Sequence, residues 1–153
     1  MLTLKKALAV AAVVPVVFAA TVAQAETFDV HGTDQLKFSV EEMSVAPGEE
    51  VTIKLTNDSE MPASAMSHNL VVLDKDADAD AFDQAAQGAK DDDYIPSDKK
   101  DEIIAHTALV GGGDSDSITF KAPDEPGNYT YLCTFPGHYA AGMKGVLKVE
   151  DES

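Results

Sequence analysis

The sequence has 153 residues, 27 of them acidic against 11 basic, for a formal net charge of −16, and it contains one cysteine. That length accommodates one domain with one substantial core. The charge excludes nucleic acid and anionic membrane surfaces as partners, and a lone cysteine excludes an internal disulfide.

Lys5 and Lys6 precede an apolar run from Ala7 to Ala20, and Ala23-Gln24-Ala25 supplies a small-residue cleavage site. This is the pattern of a secretory signal peptide over residues 1–25. Pro15 interrupts the run, which falls short of the roughly 18 apolar residues of a spanning helix, so no stable membrane insertion is expected. The remaining domain, residues 26–153, sets 9 lysines against 27 acidic residues, a net charge of −18. Such acidity fits steering toward basic partners and equally fits adaptation to salt.

Period-two alternation then recurs. Leu36, Phe38 and Val40 alternate with polar neighbours, as do Val51, Ile53 and Leu55, then Ile118 and Phe120, and less cleanly Val146 to Val149. Leu70 to Leu73 and Ile103 to Val110 read as more fully buried strands. Turn residues separate the runs at Ala46-Pro47-Gly48, Asn57-Asp58-Ser59, Gly111-Gly112-Gly113 and Pro123 to Gly127. Short strands at this spacing predict an all-β sandwich or barrel. Between Asp76 and Lys90 the period changes: Ala81, Phe82, Ala85, Ala86 and Ala89 recur at helical spacing. A short helix is expected there, within an insertion of about residues 74–102.

The chemistry concentrates near the C-terminus. Cys133, His138 and Met143 fall within eleven residues, and His68 heads the apolar run that follows Ser67. Two imidazoles, one thiolate and one thioether make the ligand set of a type 1 copper centre, trigonal His₂Cys with a weak axial Met. A lone buried cysteine is ordinarily inert filling, but an unprotected thiol in an exported chain is an oxidation risk unless a metal occupies it. The metal ligands are therefore predicted to be His68, Cys133, His138 and Met143, binding one copper.

Several segments carry a family resemblance: Thr33 to Phe38, Met66-Ser67-His68-Asn69, Asp93-Tyr94-Ile95-Pro96, Ile104 to Thr107, Asp116 to Phe120 and Cys133 to His138. Through them the chain resembles an azurin-type cupredoxin over essentially the whole of residues 26–153. The resemblance implies a Greek-key sandwich of about eight strands with one short helix in a flap. It implies the same four ligands and a hydrogen-bonded link between Asn69 and Thr134. It also implies that His138 is the electron port, set in an apolar patch of Met66, Phe135, Pro136, Tyr139, Ala140 and Ala141. Redox proteins such as c-type cytochromes, or a reductase or oxidase, would dock there.

Three features depart from azurins. Four residues, Tyr139 to Gly142, separate His138 from Met143 where azurins have three, a spacing similar to auracyanins. Ser67 stands where azurins have glycine, and the azurin disulfide is absent. The expected function is one-electron transfer by outer-sphere Cu(II)/Cu(I) cycling in the periplasm, without substrate turnover. A copper storage or delivery module is the alternative. A nitrite-reductase-type fragment would need more histidines than His31 and His106, which read as surface or strand residues. The Asp74, Asp76, Asp78, Asp80 series lacks the Gly and Glu of a calcium loop, and the three glycines at 111–113 lack the lysine of a phosphate loop; they read as a hairpin loop.

Overall fold

The computed structural model describes residues 25–151; the expected signal peptide thus lies, apart from Ala25, outside the described residues. Eight strands form two sheets. They are β1 (Glu26–Gly32), β2 (Glu42–Val45), β3 (Glu50–Asn57), β4 (Val71–Leu73), β5 (Ile103–His106), β6 (Ser115–Lys121), β7 (Gly127–Leu132) and β8 (Lys144–Val149), with helix α1 (Ala79–Ala86) between β4 and β5. One sheet has the order β1-β3-β6 and the other β2-β8-β7-β4-β5. β1 runs parallel to β3 and β2 parallel to β8, while the other pairs are antiparallel. This is the β-sandwich that the alternation predicts.

The core lies between the sheets because alternate side chains of each strand face inward. Val51, Ile53 and Leu55 of β3, Tyr131 of β7 and Leu147 of β8 are fully buried. Each large apolar side chain so enclosed contributes about 1.5–3 kcal/mol. β4 is buried on both faces, which is why it reads as a continuous apolar run. Val72 faces the main core, whereas Val71 and Leu73 join Phe82, Ile95 and Leu132 in a second cluster. Phe82 of α1 presses into that cluster, while Ala86, one turn on, packs against the main core.

Helix α1 is shorter than the expected 76–90. Asp78 accepts the Ala81 N–H at 3.0 Å as its N-cap, so the turn before it cannot be helical. After Gln87 the flap continues as two short tight turns, Lys90–Asp92 and Ser97–Glu102.

Three expectations are corrected. Residues 36–40 do not form a regular strand: a turn closes from Leu36 N–H to the Thr33 carbonyl, Leu36 takes φ 57°, and only Phe38 bridges to Gly32. The stretch 103–110 is not fully buried, since β5 is an edge strand whose residues are half-buried or exposed, and only Thr107 and Val110 beyond it are buried. Gly111 to Gly113 is not a hairpin loop, because β5 and β6 belong to different sheets and the loop crosses between them. Strands β1 and β2 were not visible in the alternation: only Val30 and Gly32 of β1 face inward as buried residues, and β2 has four residues.

Candidate metal centre

Two segments meet at one end of the sandwich. His68 is fixed through its backbone: it exchanges both hydrogen bonds with Val110, N–H to O at 3.0 Å and O to N–H at 2.8 Å. The Asn57 side-chain amide donates to the carbonyls of Met66 and Val110, each at 3.0 Å, and braces the same turn. The Ser67 hydroxyl donates to the Ala63 carbonyl at 2.6 Å. The other segment leaves the end of β7 at Cys133 and returns into β8 at Met143. Within it Ala141 N–H bonds Gly137 O, Met143 N–H bonds His138 O, and Cys133 N–H bonds Met143 O. The loop bends at Gly142, whose φ of 100° suits glycine.

These segments bring three of the four expected ligands together. His68 Nδ1 lies 3.2 Å from His138 Nδ1, and Cys133 Sγ lies 3.9 Å and 3.5 Å from those two nitrogens. All three residues are buried. A divalent ion with bonds of about 2.0–2.3 Å to imidazole and thiolate at trigonal angles would hold its donors about 3.5–3.8 Å apart. The spacing of these donors therefore fits a single metal ion. Met143, the fourth expected ligand, is fully buried at the end of the same loop. His31 and His106 lie elsewhere: the first pairs with Asp58 at 2.8 Å and the second is exposed on β5.

Burial keeps the three donors neutral. Burial pushes the Cys133 thiol up to about 12, partly opposed by the backbone N–H groups of Asn69 and Phe135. Burial, followed by the neighbouring His138, pulls His68 down to about 4, with Asp34 partly opposing; burial also lowers His138. The pocket thus presents two neutral imidazoles and a thiol whose ionisation costs about 4 kcal/mol more than that of an ordinary thiol. A bound cation that takes the thiolate offsets that cost.

The supporting residues tie the segments into one unit. Asn69 Nδ2 donates to Thr134 Oγ1 at 2.7 Å, and Thr134 N–H donates to Asn69 Oδ1 at 2.8 Å. This is the link that the resemblance implied. Phe135 was expected in the exposed rim, yet it is only 9% exposed; its ring packs 4.8 Å from His138 and 5.5 Å from Tyr94. Pro136, Ala140 and Ala141 are exposed or half-buried, as are Met66 and Tyr139 at the rim's edge, while His138 shows 4% of its surface. Sequence reasoning missed Gly32, which lies against the His68 ring so closely that a Cβ there would stand 2.6 Å from His68 Cδ2. Nothing in the order of residues signals a contact between strands so distant in sequence.

Comparison with known proteins agrees with this chemistry. Residues 24–150 match the family described as copper binding proteins, plastocyanin/azurin family. Azurin of Bordetella pertussis is 37% identical over 138 residues, which cover 88% of this chain and 91% of that protein. Auracyanin-B of Chloroflexus aurantiacus is 37% identical over 127 residues, 82% of this chain and 52% of that protein. Among solved structures, dithionite-reduced auracyanin from Roseiflexus castenholzii aligns with a TM-score of 0.73 at 36% identity, covering 83% of this chain and 98% of that one.

Proposed function

Since this chain belongs to the plastocyanin/azurin family of copper-binding proteins, we propose that it is an exported carrier that moves single electrons by outer-sphere transfer. At the coarser level it is a blue copper electron-transfer protein whose cofactor is copper. His68, Cys133 and His138 would hold the copper, with Met143 as a fourth, weaker donor. The observation that carries this reading is the convergence of two neutral imidazoles and one buried thiol within 4.8 Å.

Copper supplies the one-electron couple Cu(II)/Cu(I). The chain's own residues hold the ligands nearly still. The Asn69–Thr134 link joins the His68 segment to the Cys133 loop, and the backbone bonds of His68, Cys133 and Met143 anchor each to the sheet end. A site that rearranges little between two charge states exchanges electrons quickly. Electrons enter through the His138 ring, which shows 4% of its surface between the exposed Pro136, Ala140 and Ala141 and the partly exposed Met66 and Tyr139. A c-type cytochrome, or a reductase or oxidase, docks there through a small, short-lived contact. In this role the chain passes electrons between partners without substrate turnover.

The leader over residues 1–25 directs the domain to the periplasm, where residues 26–153 work as one unit. No described helix is long and apolar enough to cross a membrane.

The test is a visible spectrum of residues 26–153 during Cu(II) titration, with Cys133→Ser as control. One equivalent should give an intense thiolate-to-copper band that ascorbate bleaches and air restores, absent from the control. Colour that persists in the control would sink the reading. Copper lost on each reduction would point to delivery instead.

A further inference from the structure

Helix α1 touches the ligand segment at a point that the resemblance does not cover. Gln87 caps the helix and directs its side-chain amide at three oxygens: the Asp83 carboxylate at 3.1 Å, the Asp83 carbonyl at 3.1 Å and the Thr134 carbonyl at 3.4 Å. Thr134 is the residue after Cys133, so one amide joins a helix carboxylate to the backbone beside the thiol. Asp83 is half-buried. Among the described residues no ion pair neutralises it. Its carboxyl stands above the usual range, raised by burial and by Asp80, with the Gln87 bond opposing. The neighbouring Asp80 differs, because it is exposed to solvent.

We propose that Asp83 is a positioning residue for charge at the copper centre: held by Gln87 against the Thr134 carbonyl, its carboxylate favours the divalent over the monovalent ion and so lowers the reduction potential. The inference rests on the copper-carrier reading. A fixed anion attracts a doubly charged ion more than a singly charged one, and half-burial of the carboxylate leaves part of that difference unscreened. No bond forms or breaks at Asp83. The electron comes from the donor, and the carboxylate changes only the relative energies of the two states.

The experiment compares wild type with Asp83→Asn, Asp83→Glu, Gln87→Leu and, as a distant charge control, Glu50→Gln on the exposed edge of β3. Two readouts are taken: the reduction potential, and the ratio of Zn(II) to Ag(I) affinity of the copper-free protein by calorimetry. Asp83→Asn should shift the couple toward the reduced form about three- to tenfold, or ~30–60 mV at about 59 mV per decade for one electron. The Zn(II)/Ag(I) ratio should fall by a similar factor. Asp83→Glu should restore most of both. Gln87→Leu, which leaves every charge in place, should shift both the same way by freeing the carboxylate toward solvent.

A potential in Asp83→Asn equal to wild type, or a shift matched by Glu50→Gln, overturns the proposal. Failure of the wild-type chain to bind copper would instead remove the carrier reading, and the Zn(II)/Ag(I) ratio would still decide whether Asp83 acts on the site.

Discussion

Asn69 holds Thr134 twice, accepting its backbone N–H at 2.8 Å and donating to its hydroxyl at 2.7 Å, with both residues fully buried. Each residue directly follows an expected copper ligand, so this one side chain fixes the spacing between the two ligand segments. Replacing Asn69 by Leu leaves the Thr134 N–H and hydroxyl without partners in the interior. The expected loss is about 2–3 kcal/mol of copper-free stability in urea. Thr134→Val should cost about 1 kcal/mol, and the double variant should cost clearly less than the sum. Additive losses would show that the two groups do not act together.

Gly32 backs the His68 ring, and an added Cβ would lie 2.6 Å from Cδ2 and 2.9 Å from Cγ. The ring must move, because the His68 backbone is pinned to Val110. Gly32→Ala should destabilise the chain by about 1–3 kcal/mol and weaken the thiolate-to-copper band. A normal band with normal stability would mean that β1 shifts at no cost.

Copper binding should release one proton near neutral pH. The Cys133 thiol keeps its proton up to about 12, while His68 is neutral above about 4 and His138 is also lowered. Apparent affinity should therefore rise about tenfold per pH unit between pH 7 and 9. In the copper-free chain the sign at low pH follows from His68. Its folded pKa of about 4 lies below the ordinary 6.5, so between these values the unfolded chain binds more protons. Stability is lost as pH falls through that window, by about 3 kcal/mol in all. Urea titrations of wild type and His68→Gln across pH 4–7 would separate this contribution, which the variant should lack.

Phe82 is the fully buried anchor of α1 in the cluster with Val71, Leu73, Ile95 and Leu132. Phe82→Ala should cost about 3–5 kcal/mol and raise amide exchange first in residues 79–102, because the main core does not depend on that ring. Uniform loss of protection across both sheets would show that the flap and the sandwich unfold as one.

The sequence was most readable where chemistry or period is local. Cys133, His138 and Met143 sit on one loop, and their order with Pro136 and Gly137 is enough to announce a metal site. The alternation of Val51, Ile53 and Leu55 announces an inward face, and Ala81 to Ala86 a helix. The same local signals failed where pairing decides the outcome. Leu36 to Val40 alternate like a strand, yet a turn from Thr33 to Leu36 takes up the backbone bonds. Three glycines look like a hairpin, yet their flanking strands pair in different sheets.

By itself, then, the chain's order of residues determined the ligand types, the sandwich class and the flap, because side-chain identity and two-residue periodicity are properties of short segments. The link from Asn69 to Thr134 was legible only through the family resemblance, and only the tertiary structure decided that Gly32 lies behind His68 and that Gln87 joins Asp83 to the Cys133 loop. These contacts span 65, 36 and 47 positions of sequence respectively. They exist because two sheets close on one core and bring strand ends and the flap together, and no local pattern encodes where such ends meet.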